Sequence, residues 1–181
     1  GTAKGQLKSA IQMAIDFHNL LPVFDRAEHT EGREGFIHLT EMAGEAESAH
    51  LNYIIRDHDE AKFEHLKQEV RRVADFINQR YGAGTLELDI HDQYYNMRKM
   101  IEARPEIIEI ARKAYRAVGF EPVEEAVRGG TDGSRLSYMG LPTPNIFTGG
   151  YNYHSKHEWA SVAEMSLAVG TLINLVALWA E

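Results

Sequence analysis

The first half of the chain combines two hydrophobic patterns. Apolar residues recur at helical spacing from Leu7 to Leu21, where Pro22 follows, and again over residues 63–77. Residues rich in β-formers fill 36–42 and 50–57 on either side of a short Ala-Gly-Glu segment, which predicts a hairpin. Strict alternation of apolar and charged residues over 86–90 predicts a half-buried strand. The predicted order is therefore helix, strand, strand, helix, strand.

This order is one strand short of a split-βαβ (ferredoxin-like) domain, which runs β-α-β-β-α-β. We therefore predict such a domain lacking its first strand, with that strand located before Gly1. The chain also begins without Met, in a segment that already leads into a helix. Both features predict a C-terminal fragment of a longer protein.

The second half of the chain shows a different arrangement. Its predicted elements are a helix, a strand, a short helix, a strand and a long C-terminal helix, over Pro105–Val118, Pro122–Val127, Ser134–Met139, Asn145–Thr148 and Trp159 to the end. Helices that alternate with strands predict an α/β layer. We place a boundary after Met97, which gives domains 1–97 and 98–181, and we expect an α/β fold with an α+β first domain.

Composition limits the classes of function. The 181 residues carry a formal net charge of −8, with no basic stripe, which argues against binding of nucleic acid. Cysteine is absent, so a metal ion would have to be held by His, Asp or Glu. The longest uncharged run, Ser166–Ala180, is shorter than the roughly 20 residues that span a bilayer, and we expect a buried helix there. With no signal-peptide pattern at Gly1–Lys8, we expect a cytoplasmic protein without a membrane partner.

Arg128-Gly-Gly-Thr-Asp-Gly133 is the first loop with chemical potential. Adjacent glycines let backbone N–H groups approach an anionic or tetrahedral group, and Arg128 offers two parallel donors to a carboxylate. The same string also fits a simple strand-to-helix turn in which Asp132 caps the next helix. Taken alone, the loop favours the turn.

Gly149-Gly-Tyr-Asn-Tyr-His154-Ser-Lys-His157-Glu158 is the second such loop. A single loop histidine can supply one metal ligand to a site built elsewhere, but spacing alone leaves the role of His154 open. For His157 and Glu158 we favour positions at the start of the following helix, with Glu158 in its first turn. Arg56, which closes the strand over 50–57, has a solvated strand end as its simplest interpretation.

Taken together, the strings are more specific than any one of them. RGGTDG, LPTPN and FTGGYNYHSKHE occur in this order between Arg128 and Glu158, and GTAKG, TEGREGF, YIIRD and YYNM precede them. This set resembles the signature of the peptidase T family of tripeptide aminopeptidases, within the aminoacylase/carboxypeptidase-like superfamily. The likeness covers essentially the whole chain, and one departure is Ser155, where relatives often have Gly.

The resemblance implies a catalytic α/β domain with two zinc ions and an inserted split-βαβ domain that serves as lid and dimerisation surface. It implies that His154 is a zinc ligand and that Arg56 and Arg128 bind the substrate. The general base and the remaining ligands would precede Gly1, so no catalytic residue is assigned here. We expect small peptides as substrates, a homodimer, and the missing part of the catalytic domain as a partner.

Two other functions remain open. A dipeptidase or an aminoacylase-type amidohydrolase of the same superfamily would share most of the strings, although GGYNYH favours the tripeptidase. The isolated chain could also be a dimerisation module without catalysis. The side-chain preference at the substrate N-terminus is not encoded in any of these strings.

Overall fold

The computed structural model describes residues 3–181, so the start of the GTAKG string and the strand predicted before Gly1 lie outside the described residues. Its helices are α1 Ala10–Leu20, α2 Glu60–Tyr81, α3 Arg98–Glu102, α4 Pro105–Ala117, α5 Asp132–Tyr138 and α6 Val162–Ala180. Its strands are β1 Phe36–Gly44, β2 Ala49–Arg56, β3 Gly150–Tyr151 and β4 Trp159–Ala160. Short 3-10 turns at Val23–Asp25 and Ala27–His29 were not predicted. The chain divides into two compact units, Gly1–Asp92 and Gln93–Glu181.

In the first unit, two helices and a hairpin form where the pattern predicts them. Strands β1 and β2 pair antiparallel from Phe36↔Arg56 to Gly44↔Ala49, with an irregularity between Leu39 and Glu41. Helix α2 is capped at its start by Asp59, whose carboxylate accepts the N–H of Lys62. It is followed by Gly82, whose φ of 120° suits glycine.

The core of the first unit lies between the helices and one face of the hairpin. Ile77 of α2 is 0% exposed, and it is joined by buried residues of both helices and of β1: Phe17, Leu21, Ile37, Leu66, Val70 and Ala74. Of the helical members, all but Ala74 are positions of the two predicted stripes. Leu7 and Ile11 of the first stripe are exposed, so the periodicity predicted most of the buried residues but not the exposed start of that stripe. Full burial of an aliphatic side chain contributes about 1.5–3 kcal/mol, and this cluster therefore fixes how the helices lie on the hairpin.

The strand predicted at residues 86–90 is wrong as a strand. Leu86 and Ile90 do pack against the core, as the alternation indicated. However, the segment joins neither β1 nor β2. The backbone N–H and C=O of Leu86 bond instead to the side chain of Asn78, each at 2.9 Å. Burial without a neighbouring strand leaves an extended segment anchored by a side chain.

In the second unit, helices α4 and α6 pack against each other. Pro105 is the first residue of α4, as predicted, and Ser161 caps α6 by accepting the N–H of Glu164. Each helix has one small residue that is 0% exposed, Ala114 in α4 and Thr171 in α6. Helix α3 was not predicted, and α5 begins at Asp132, two residues earlier than the pattern indicated.

Three expectations for the second unit are corrected. Residues 122–127 and 145–148 form no strand, since the described part of the chain offers them no hydrogen-bonded strand partner. Helix α6 is not buried: only Ala168 and Thr171 are buried along it. Its apolar side chains face solvent, namely Val162, Met165, Val169, Leu172, Ile173, Val176 and Trp179. Helix α6 is long and apolar enough to cross a membrane, a property that core helices of soluble proteins share.

Candidate functional site

The RGGTDG loop is packed so closely that two of its glycines have no room for a side chain. A Cβ on Gly130 would lie 1.9 Å from the hydroxyl oxygen of Tyr94. A Cβ on Gly133 would lie 2.4 Å from the backbone oxygen of Thr143. Neither glycine has a positive φ, so close approach explains both of them. The loop therefore meets the YYNM string through Tyr94 and the LPTPN string through Thr143.

Ser137, which was not among the residues predicted to be functional, joins α5 to the LPTPN string. Its hydroxyl donates to the backbone oxygen of Gly133 at 2.6 Å and accepts the N–H of Thr143 at 2.9 Å. The residue is 1% exposed. A serine on the apolar side of a short helix was the available signal, but nothing local indicates which backbone groups it would bind. This side chain holds two of the signature strings together.

The GGYNYHSKHE string forms a small hairpin rather than an open loop. Gly150 pairs with Ala160 and Tyr151 with Trp159, and the rings of Tyr151 and Trp159 stack at a centroid distance of 4.4 Å. The Tyr151 hydroxyl donates to the Glu164 carboxylate at 2.8 Å, which raises the pKa of Tyr151. The base of this hairpin is therefore fixed to the first turn of α6.

His154 lies at the exposed tip of that hairpin in a left-handed backbone conformation. Its φ is 63°, and Asn152 has a φ of 54°. A non-glycine residue held there costs on the order of 1–3 kcal/mol, and such strain often marks functional sites. The N–H of His154 donates to Glu158 Oε2 at 2.9 Å. Glu158 therefore lies ahead of α6 and bonds back into the hairpin, so its predicted place in the first turn of that helix is wrong.

A cavity of about 710 Å³ brings the three signature strings together. Thr131 comes from RGGTDG, Asn145 from LPTPN, and residues 147–151 with Tyr153 from the third string. Phe120, Val127, Ile146, Glu164 and Leu167 complete the lining. The size is within the roughly 300–1,000 Å³ of small-molecule sites, and a mostly apolar wall with a few polar groups is typical of them. Neither Arg128 nor His154 lines this cavity.

Arg128 is half-buried at the start of the RGGTDG loop. The next residue, Gly129, has no atom within 4 Å of where its Cβ would be, whereas Nε of Arg128 itself is buried. Arg56 lies in the other unit, as the last residue of β2, where it pairs with Phe36 and is also half-buried. Arg56 thus ends a strand, whereas Arg128 lies in a segment without helix or strand.

Close contacts join the YIIRD string, which contains Arg56, to the TEGREGF string and to helix α1. A Cβ on Gly35, from TEGREGF, would lie 2.1 Å from the Asp57 carboxylate of YIIRD. Within the same string, the Tyr53 hydroxyl lies 3.0 Å from Nδ1 of His18, and burial raises the pKa of Tyr53 to about 12. Burial and the Arg26 charge lower the pKa of His18. Both side chains are therefore neutral at physiological pH, and they contribute to the packing of α1 against β2.

A metal site is not complete within residues 3–181. No group of three or more His, Cys, Asp and Glu side chains in that range is arranged to hold a metal ion. Structural and catalytic zinc sites use three or four protein ligands. An imidazole is an ordinary zinc ligand, so His154 could supply one of these, but the described residues do not complete a zinc centre by themselves.

Comparison with known proteins agrees with the signature strings. The family model for peptidase family M20/M25/M40 matches residues 5–178. A protein named Peptidase T from Caldanaerobacter subterraneus subsp. tengcongensis is 46% identical over 181 residues, which cover 100% of this chain and 44% of that protein. Another of the same name from Streptococcus thermophilus is 49% identical over 177 residues, or 98% of this chain and 44% of that protein.

A solved structure shares the fold. The crystal structure of a tripeptidase from Staphylococcus aureus matches with a TM-score of 0.59 at 16% identity, over 93% of this chain and 44% of that one. The mixed α/β architecture is therefore that of a known peptidase fold. The chain spans less than half the length of the relatives that it matches.

Proposed function

The chain belongs to peptidase family M20/M25/M40, and on that premise we propose that it is part of an aminopeptidase that releases the N-terminal residue of tripeptides. The observation that carries the proposal is the 46% identity to a protein named Peptidase T across all 181 residues. Because the chain spans 44% of that relative, the active enzyme would be a longer protein to which this chain contributes a lid and the last part of the catalytic domain.

In this proposal, Arg56 and Arg128 bind the substrate. A guanidinium binds a peptide carboxylate, or the tetrahedral intermediate, through charge-assisted hydrogen bonds. The half-buried position of Arg128 at the start of the RGGTDG loop supports the role, because partly desolvated donors make stronger bonds to an anion. The half-buried position of Arg56 at the end of β2 also supports it, since partial desolvation strengthens such bonds.

His154 would be one ligand of a two-zinc centre whose other ligands lie outside this chain. Its strained, exposed position at the tip of a fixed hairpin supports the role, because a ligand must be held at a defined place yet remain accessible. Zinc ions in such a centre polarise the scissile carbonyl and activate water. The chain's own contribution is to present the imidazole and to bind the peptide.

The first unit would be a lid of the split-βαβ type that also forms a dimer. Helices α1 and α2 on one face of the β1–β2 hairpin support this architecture. Exposed apolar side chains in this unit, including Phe24 at 79% and Phe76 at 46% exposure, support a second copy as partner.

Activity measurements test the proposal directly. The 181-residue chain alone should hydrolyse nothing, because residues 3–181 hold no complete metal site. Tripeptidase activity in this chain that a chelator abolishes would refute that expectation. In the longer protein, a panel of tripeptides, dipeptides and N-acyl amino acids should show turnover of the tripeptides. Preference for either other class would identify a dipeptidase or an aminoacylase instead.

A second candidate for the chain as it stands is a dimerisation module without catalysis. The lack of a three-residue metal group in the described range favours it for the isolated chain. Sedimentation of the 181-residue chain should then show a dimer. A monomer at high concentration would count against both this candidate and the proposed dimer surface.

A further inference from the structure

The hairpin between β3 and β4 places its two left-handed residues close together, and it supports them differently. We call residues 152–158 the His154 loop. Asn152 is a residue type that tolerates a left-handed conformation, and its side-chain amide also donates to the backbone oxygen of His157 at 3.3 Å. The same conformation costs His154 energy as well, and among the described residues the His154 ring makes no hydrogen bond to the loop backbone of the kind that Asn152 makes. The support for His154 comes from elsewhere.

That support is a single carboxylate. Glu158 Oε2 accepts the N–H of His154 at 2.9 Å, so the bond acts on the backbone of the strained residue itself. Glu158 is anchored in turn: its N–H donates to the backbone oxygen of Ser155 at 3.2 Å, and the next residue, Trp159, pairs with Tyr151. The carboxylate therefore extends from the fixed base of the hairpin to its tip.

Other roles for Glu158 fit less well. Helix α6 begins at Val162 with Ser161 as its cap, so Glu158 lies outside the helix and does not cap it. Among the described residues it also forms no ion pair. The bond to His154 is the side-chain interaction that the structure gives this carboxylate.

We propose that Glu158 is a positioning residue, which holds His154 in its left-handed conformation and so sets the direction in which the imidazole leaves the loop. This inference rests on the proposed function, in which His154 is a metal ligand. A rotation about the backbone of a ligand residue moves the ring nitrogen by several ångströms, far more than metal coordination tolerates. Glu158 would thus act on the metal through the backbone of another residue.

Three variants separate the carboxylate from the rest of the loop. Glu158→Ala removes the acceptor, whereas Glu158→Gln keeps a carbonyl oxygen in its place. Ser155→Ala is the matched control, because Ser155 Oγ accepts the N–H of His157 at 3.0 Å in the same loop without touching the amide of His154. Hydrogen exchange of the His154 amide in the 181-residue chain should be at least about tenfold faster in Glu158→Ala, from the strength of a bond to a charged acceptor. Ser155→Ala should leave it unchanged.

Metal affinity of the longer protein, measured by competition with a chelator, gives the functional result. Glu158→Ala should lower it by roughly tenfold or more, with most of it restored in Glu158→Gln. A further comparison uses His154→Gly, because glycine adopts this conformation without strain. Glu158→Ala should lower the melting temperature, followed by fluorescence, in the chain that has His154. The same substitution should lower it less in the His154→Gly background.

The outcomes distinguish the positioning role of Glu158 from the ligand role of His154. Unchanged metal affinity in Glu158→Ala, alongside lost affinity in His154→Ala, would refute the positioning role alone. Unchanged affinity in His154→Ala would refute the ligand role, and the inference with it. Equal exchange rates in Glu158→Ala and Ser155→Ala would show that the bond does not hold the loop. Faster exchange, lower affinity and rescue by Glu158→Gln together support the proposal.

Discussion

Replacing Gly133 with alanine should disturb the packing between the RGGTDG and LPTPN strings. Gly133 is the second residue of α5, and its φ lies outside the left-handed region, so an alanine there is not strained by its backbone angles. The obstacle is steric. The added Cβ would lie 2.4 Å from the backbone oxygen of Thr143 and 3.3 Å from Asn145 Oδ1.

The size of the effect follows from which atoms can move. The distance to the Thr143 oxygen is about 1 Å short of the 3.4 Å at which ordinary contact begins. That oxygen belongs to the backbone, and the N–H of the same residue is held by Ser137 Oγ at 2.9 Å. Overpacking of this kind costs typically about 1–3 kcal/mol. Replacing glycine in a helix returns at most about 1 kcal/mol. Because the clash is with a backbone atom that is itself held in place, we expect a cost of about 2–3 kcal/mol, and therefore a net loss of about 1–2 kcal/mol in the free energy of unfolding.

Denaturant unfolding followed by tryptophan fluorescence measures this loss, because Trp159 and Trp179 both lie in the second unit. Gly129→Ala is the matched control: it lies in the same loop, its Cβ would meet no atom within 4 Å, and its φ is not positive. The control should change stability by less than about 0.5 kcal/mol. If Gly133→Ala unfolds at the same denaturant concentration as Gly129→Ala, the close packing between the two strings is refuted.

Three further predictions concern other buried polar groups. Lys67→Ala should destabilise the first unit by about 1–3 kcal/mol, because Lys67 is 5% exposed and donates to Asp92 at 2.9 Å. Thermal unfolding followed by circular dichroism measures this loss, and Lys62→Ala, at an exposed lysine of the same helix, should have little effect. Ser137→Ala should cost a similar amount in tryptophan-monitored unfolding, since it leaves the N–H of Thr143 without its acceptor. Burial and the charge of Arg26 lower the pKa of His18, so the stability present above the unfolded pKa near 6.5 should be lost as the pH falls through the folded value. His18→Phe should flatten that dependence, and an unchanged pH profile would contradict the assignment.

Local signals explain which parts of the fold were predictable. Helices α1, α2 and α4 lie within a few residues of their predicted positions. Their signals are local, since apolar periodicity marks each helix, Gly82 follows the end of α2 and Pro105 begins α4. The β1–β2 hairpin is also local, since a short turn connects its strands. The strand prediction for residues 86–90 failed for the opposite reason. Alternation predicts that one face is buried, but a strand also needs a neighbouring strand to pair with, and no local pattern supplies one.

The candidate site shows the same division. The sequence located the loops that carry Arg128 and His154, because glycine pairs and a run of polar aromatic residues are visible in one dimension. It did not show that Gly133 packs against Thr143, nor that Ser137 joins them. Those contacts depend on how separate strings meet. The left-handed backbone of His154 was equally invisible, because its support comes from a carboxylate four residues away.

The unpaired segments and the exposed helix of the second unit can be explained together. Residues 122–127 and 145–148 have the composition of strands but no strand partner in the part of the chain described here. Helix α6 has the composition of a core helix, yet Ile173 is 65% and Val176 is 69% exposed. Strand pairing and helix burial both need a second surface. Under the proposed function, the rest of a longer catalytic domain would supply that surface to all three elements at once. The same absent surface would carry the metal ligands that residues 3–181 lack, so the incomplete layer and the incomplete site have one explanation.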